Sequence, residues 1–338
     1  MLVINVIVFT SLITILINFI SKKKKFLIDK KFNPHKSFAN TKLTPISGGL
    51  VFLITCLIFI PSDMVELKVS LFFIFLVGLL SDTNYLVSPI KRFVLQIIVI
   101  LLFIFFSQSF INSVRLPIID LLLKNIYFKY FLTIFCLLVL INGANFMDGV
   151  NTLLIGYFLG VSIACLLIIK QYGNILDIRS FTVIIISLSV LIIFNFFGKL
   201  LSGDSGAYLI SFFIGNYLVY ISNLTVLVSP YFVACLLWYP AYECLFSIIR
   251  KKISKLPATN PDNYHLHQLI YLYLKKKFNL NGNTLNTTTG LVINLFNFII
   301  FYNVLNNVSQ TKNLILIFFI CLLVYNSSYF YLKKFLNK

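Results

Sequence analysis

Apolar runs long enough to approach the thickness of a bilayer recur along the whole chain. A spanning helix needs about 20 apolar residues. Eleven segments come near that length: 2–20, 46–61, 67–81, 93–108, 127–141, 152–169, 180–197, 206–222, 228–249, 288–305 and 312–332. The residues are 59% hydrophobic and 11% charged, with a mean hydropathy of +0.95. Soluble domains carry about 25% charged residues, so lipid has to be the solvent for much of this surface. The runs lack the period-2 alternation of a membrane barrel. The expected fold is all-α, a single membrane-embedded polytopic helical bundle over 1–338 with about eleven transmembrane helices, or ten if the short third segment does not cross. The first run leads straight into "SKKKK", with no basic stretch before it and no small-residue cleavage site, and reads as a retained helix.

Basic residues suggest an orientation. With the N-terminus outside, only Lys68, Arg115, Lys124, Lys129, Lys170, Arg179 and Lys312 of the 28 Lys and Arg fall in outer connections. The positive-inside rule favours that arrangement. The net charge of +18 follows from the same bias and suits anionic headgroups. Because the basic runs flank spans, they argue against nucleic-acid binding. The six cysteines are scattered in or beside apolar runs, without zinc or redox spacing.

Of the ten acidic residues, Asp82, Asp148, Asp204, Glu243 and Asp262 lie in or beside inner connections. Their surroundings are "TPISGG" (44–49), "SDTNYLVSPIKRFVLQ" (81–96), "NGANFMDGVN" (142–151), "FNFFGKLLSGDSGAYL" (194–209), "PAYECLFSIIRKKISK" (240–255) and "NPDNYHLHQLIYL" (260–272). Carboxylates and amides converging on one membrane face suggest a hard-cation site, because magnesium binds through one or two carboxylates plus phosphate oxygens. In "SGDSG", Asp204 sits near a helix start, with Gly203 letting phosphate approach the backbone. Lys91, Arg92, His265 and His267 add donors suited to a diphosphate. Each signal has a plainer reading: an Asp at a helix start is usually a cap, and Asn142 and Asn145 could be packing amides. Their joint occurrence on one face favours function.

These segments resemble the polyprenyl-phosphate N-acetylhexosamine-1-phosphate transferases, the superfamily that includes the phospho-N-acetylmuramoyl-pentapeptide transferase. "NGANFMDGVNTL" is similar to that family's Asn-x-x-Asn-x-x-Asp-Gly stretch, "SDTNYLVSPIKRFVLQ" to its Asp-Asp…Pro…Lys…Gln loop, and "FNFFGKLLSGDSGAYL" to its Gly-Asp-x-Gly signature. "TPISGGL" matches its first segment, and "PDNYHLHQL" the His-x-His motif of the sugar-nucleotide branch. The resemblance implies transfer of an N-acetyl-sugar 1-phosphate from a UDP-N-acetyl-sugar to polyprenyl (undecaprenyl) phosphate, releasing UMP. It implies Mg²⁺, with Mn²⁺ as a substitute, and the initiating step of an envelope polysaccharide such as O-antigen or capsule. It also implies the bacterial cytoplasmic (inner) membrane with active-site loops on the cytoplasmic face, and is compatible with a homodimer. Carried over by position, Asp82, Asp148 and Lys91 are catalytic. Asn142, Asn145, Asn151, Thr44, Gly203, His265 and His267 bind substrate, and Asp204 with Asn145 binds metal.

Several positions depart from the pattern. Ser81 replaces the first carboxylate of the Asp-Asp pair, Leu201 replaces a Phe, and the Gly-Leu and His-His ends read Thr152-Leu153 and His267-Gln268. A lipid-linked-sugar transporter or flippase is the alternative, as is a catalytically decayed member. Transporters, however, place polar residues at the midplane of repeated halves, and this chain shows no such repeat. Two further expectations concern the C-terminal part. Glu243 and Arg250, two helical turns apart, suit a structural ion pair. The longest inner loop, 250–287, ends in "NLNGNTLNTTTG", which reads as a polar turn with no chemistry after it.

Overall fold

A computed structural model describes residues 1–28, 44–255, 257, 262–278 and 280–336. Much of the first basic loop, 29–43, lies outside the described residues, as do four residues around 260 in the longest one. The described chain is a bundle of helices: α1 (Leu2–Lys24), α2 (Gly48–Phe59), α3 (Val65–Asp82), α4 (Pro89–Ser107), α5 (Pro117–Leu122), α6 (Ile126–Met147), α7 (Leu153–Tyr172) and α8 (Ile175–Phe196). They are followed by α9 (Gly203–Leu224), α10 (Pro230–Leu236), α11 (Trp238–Ile253), α12 (Leu266–Lys277), α13 (Gly282–Leu305) and α14 (Thr311–Leu336).

Every one of the eleven apolar segments is helical, and the protein is a polytopic helical membrane protein. Among the described residues, eight helices are long and apolar enough to cross a bilayer, nine if α10 and α11 cross as one bent unit. The difference from eleven lies in α2 and α3. Twelve residues of α2 reach only about 18 Å at 1.5 Å per residue, short of a hydrocarbon core of about 30 Å. Helix α3 has 18 residues but carries Glu66, Lys68 and Asp82.

Sequence chemistry sets the helix ends. Ser88 accepts from the Lys91 N–H, with Pro89 opening α4, and Ser229 with Pro230 does the same for α10. Between α10 and α11 the axis bends by 71°. Pro240 lacks the N–H that would bond the carbonyl of Leu236; the buried Tyr157 hydroxyl donates to that carbonyl instead, at 2.7 Å.

Helix α9 is the central post. Its spanning window is 78% buried, against 22% for α1 and for α14. It packs on α2, α3, α6 and α7. The approach of α3 is close: a Cβ on Gly78 would collide with the Ser205 backbone. The first turn of α9, bearing Asp204, is thereby fixed against the end of α3, bearing Ser81 and Asp82.

The C-terminal part differs from the sequence reading. The stretch after 281 is the opening of α13, not a turn. Asn286, Thr287, Thr289, Asn294 and Asn297 are all buried on it. Their spacing places most of them on one helix face, so polar composition there reports an inward-facing stripe rather than exposure to water. The longest loop also contains a helix, α12.

Candidate active site

The site is built around the start of α9. Gly203 has φ +70 and leaves no room for a side chain beside the Asp82 carboxylate. Asp82 then acts as a cap supplied from another helix. Its Oδ1 accepts from the Asp204 N–H at 2.8 Å, and its Oδ2 accepts from the Ser205 N–H at 3.0 Å and the Ser205 hydroxyl at 2.7 Å. A carboxylate is favoured there by the unpaired N–H groups and the positive end of the helix dipole.

Asp204 points the other way. Its Oδ2 accepts from the Ser81 hydroxyl at 2.5 Å and from Arg92 at 2.9 Å, and Arg92 also donates to Ser81 Oγ at 2.8 Å. The side chains of Arg92 and Asp204 keep 23% and 13% of their surface in contact with solvent. Where a second carboxylate was expected, Ser81 supplies a hydroxyl that lets Asp204 and Arg92 close on each other. Among the described residues, Arg92 is a cation on Asp204; Lys91, the basic residue carried over from the resemblance, is exposed.

Two further motifs join this centre. Thr44 is buried and donates to the Gly198 carbonyl at 3.4 Å. The neighbouring Pro45 carbonyl accepts from Leu201 N–H, and Gly48 N–H donates to the Leu201 carbonyl. The 44–48 segment thus braces the approach to α9. From α6, Asn142 donates to Gln96 Oε1 at 3.0 Å and to its own Leu138 carbonyl. Asn145 and the helix-ending Asp148 are half-buried. Asn151 is turned inward: its amide donates to Asn283 Oδ1 at 3.1 Å and its backbone N–H to Asn286 Oδ1 at 2.5 Å.

The histidines meet the other side of the 146–149 loop. A Cβ on Gly149 would strike the His267 ring, and Phe146 lies 5.0 Å from the His265 ring. The two imidazoles are nearly parallel at 5.8 Å. Their roles differ. His265 Nδ1 is 2.7 Å from Glu243 Oε1, and its Nε2 is 3.5 Å from Asp262. Tyr325 of α14 donates to the other Glu243 oxygen at 2.7 Å. His267 is fully buried, and neither ring nitrogen has a hydrogen-bond partner among the described residues. Burial, reinforced by the neighbouring His265, pushes the His267 pKa down to about 3, so the ring is neutral at ordinary pH. Asp262 would be raised by burial, but His265 and Arg250 hold its carboxyl below the usual range.

The Glu243–Arg250 pair expected from sequence does not form. Arg250 reaches Asp262, at 3.0 Å, and Glu243 takes His265. A loop residue with no helical register to Arg250 provides the better geometry, which periodicity alone cannot reveal. Arg92 was read from sequence only as a donor suited to a diphosphate, not as the partner of Asp204, and Asn195 and the buried asparagines of α13 lay outside the sequence assignments. Buried amides at helical spacing inside an apolar helix were the available signal.

Magnesium binds oxygen ligands and usually keeps water and substrate phosphate among them. Among the described residues no three His, Cys, Asp or Glu side chains converge as a cage. The donor set fits an ion arriving with a diphosphate and met by one or two carboxylates.

Residues 64–222 match the model of glycosyl transferase family 4, a span that runs from α3 to α9 and holds Asp82, Arg92, Asp148 and Asp204. A similar protein is the probable undecaprenyl-phosphate N-acetylglucosaminyl 1-phosphate transferase of Bacillus subtilis (strain 168). It is 25% identical over 278 residues, covering 78% of this chain and 76% of the relative. The carboxylate centre at the start of α9 lies inside the span that matches glycosyl transferase family 4, and the chain is similar in sequence to that family of transferases.

Proposed function

We propose that the protein transfers an N-acetyl-sugar 1-phosphate from a UDP-sugar to polyprenyl phosphate and releases UMP, opening the synthesis of an envelope polysaccharide. The reading further puts it in the bacterial cytoplasmic membrane with the site on the cytoplasmic face, in line with the Lys and Arg bias. The observation that carries the reaction is the Asp204–Arg92–Ser81 cluster, a partly exposed polar centre set on a helix start capped by Asp82.

A phosphate monoester has its second pKa near 6, so the lipid phosphate is largely dianionic at pH 7 and attacks without a protein base. Its oxygen forms a bond to the sugar-bearing β-phosphorus, the bond from that phosphorus to the bridging oxygen breaks, and UMP leaves with the electron pair. Phosphoryl transfer of this kind needs positioning and neutralised charge more than covalent help. Arg92 supplies a planar cation for phosphate oxygens. Asp82 keeps Asp204 aimed. Asp204 and Asn145 would hold Mg²⁺, which when bound neutralises diphosphate charge. Of the two histidines, His265 is committed to Glu243 and Asp262, while the buried His267 keeps both ring nitrogens without a partner among the described residues.

The test is product formation. Purified protein is given undecaprenyl phosphate and a panel of labelled UDP-N-acetyl-sugars, and organic-extractable label is counted. Label from one sugar, dependent on the lipid, supports the reading and names the donor. Label in the organic phase without added lipid phosphate, or none with any sugar, counts against it.

A further inference from the structure

The loop joining α6 to α7 contains a residue whose backbone is wrong for its side chain. Thr152 has φ 67 and ψ −21, the left-handed region that β-branched residues rarely enter. Buried amides grip it from both sides. Its N–H donates to Asn195 Oδ1 of α8 at 2.5 Å, and its carbonyl accepts from Asn294 Nδ2 of α13 at 2.8 Å. The preceding N–H, of Asn151, donates to Asn286 Oδ1, and the Thr152 hydroxyl turns back to the Asn151 carbonyl at 2.6 Å. Thr152, Asn195, Asn286 and Asn294 are all buried. Helix α13 comes close enough that a Cβ on Gly290 would collide with the Asn151 carbonyl.

Asn195 has a second bond. Its amide donates to the Leu200 carbonyl at 2.8 Å, in the segment that runs into Gly203 and Asp204. One side chain therefore touches the loop that follows Asp148 and the loop that precedes Asp204. Strained backbone persists only where its surroundings over-determine it, and such strain gathers at working sites. Amides inside apolar helices also need a reason to be there. Here most of the amide bonds go to the backbone of this one turn.

We propose that Asn195, Asn286 and Asn294 are positioning residues for the transfer reaction. They hold residues 148–152 in a turn whose one left-handed residue, Thr152, would not adopt that backbone by itself, and so fix Asp148 relative to Asp204. The inference rests on the transferase reading for its kinetic arm and on geometry for its structural arm.

The experiment compares wild type, Asn294→Ala, and Asn294→Ala combined with Thr152→Gly, all as full-length protein in detergent. UMP release and amide hydrogen exchange across 146–153 are measured together. Misplacing a reacting group by about 1 Å costs about 10²-fold in rate. Asn294→Ala is expected to lose turnover on that scale with KM changed less than about twofold, and to exchange faster only within 146–153. Glycine enters the left-handed region without a Cβ penalty, so the added Thr152→Gly should restore most of the turnover and slow the exchange again. Unchanged turnover in a folded Asn294→Ala protein, a double variant no better than the single, or exchange rising uniformly along the chain would each overturn the proposal. If wild type releases no UMP with any sugar, the transferase reading fails, and the exchange pattern alone decides the clamp.

Discussion

Asp204 and Glu243 each hold a nitrogen partner at short range, Arg92 at 2.9 Å and His265 at 2.7 Å, yet the two pairs sit in opposite settings. The first keeps 23% and 13% of its side-chain surfaces open; the second keeps 8% and 1%. Around Glu243 both carboxylate oxygens are taken, by His265 and Tyr325, and His265 is bracketed by a second carboxylate, Asp262. Around Asp204 the partners among the described residues include a hydroxyl and a partly exposed guanidinium. A sealed pair organises the fold, since exchanging its partners for a ligand would leave a buried charge unpaired. An open pair can trade partners with an incoming phosphate. The contrast teaches that a carboxylate–cation contact signals function only together with its access to water.

The largest effect should come from breaking the sealed pair. Glu243→Ala strands His265 and the Tyr325 hydroxyl, and breaking a buried pair costs about 3–5 kcal/mol; thermal unfolding in detergent should show a marked drop. A drop no larger than that of an exposed substitution would erase the contrast. Next is the open pair: Arg92→Gln should lower turnover by about 10²-fold, as losing one transition-state donor does, with the melting temperature little changed. A third test uses pH. His267 has a folded pKa of about 3, below the unfolded value near 6.5. Its contribution to stability is therefore present above about 6.5 and is lost as pH falls toward 3, by at most about 1.4 kcal/mol per unit. His267→Leu should flatten the decline in melting temperature between pH 6.5 and 4.5; an unaltered slope would contradict the assignment. The smallest effect belongs to Ser81→Ala, which removes one hydroxyl from Asp204 and should cost about fivefold in turnover, equivalent to about 1 kcal/mol.

The spans were legible because apolar length is a one-dimensional property. All eleven segments became helices, and only the bilayer-crossing count narrowed: the three charges in α3 are visible in the sequence, whereas the shortening of the 46–61 segment to the twelve residues of α2 is not. The motifs likewise led to the start of α9, where Asp82, Ser81 and Asp204 do meet. Partner choice was not legible. Lys91 and Arg92 are adjacent, and which one faces inward depends on the register of α4 against α9, a tertiary fact. Glu243 and Arg250 share a helix face, but each found a closer partner from the loop before α12. The asparagines of α13 read as a turn because composition cannot say that polar atoms face another backbone. His265 and His267 looked equivalent two residues apart, and packing against Gly149 and Glu243 made them different.

The most direct test of the open carboxylate centre is lipid-dependent UMP release by wild type and by Asp204→Ala, each shown to be folded and each assayed with Mg²⁺ and with EDTA. The expected result is release by wild type that needs both the lipid phosphate and the metal, and loss of about 10²–10³-fold in the variant. Wild-type release that Asp204→Ala retains would contradict the account, because the reaction would then run without the carboxylate on which the site is built.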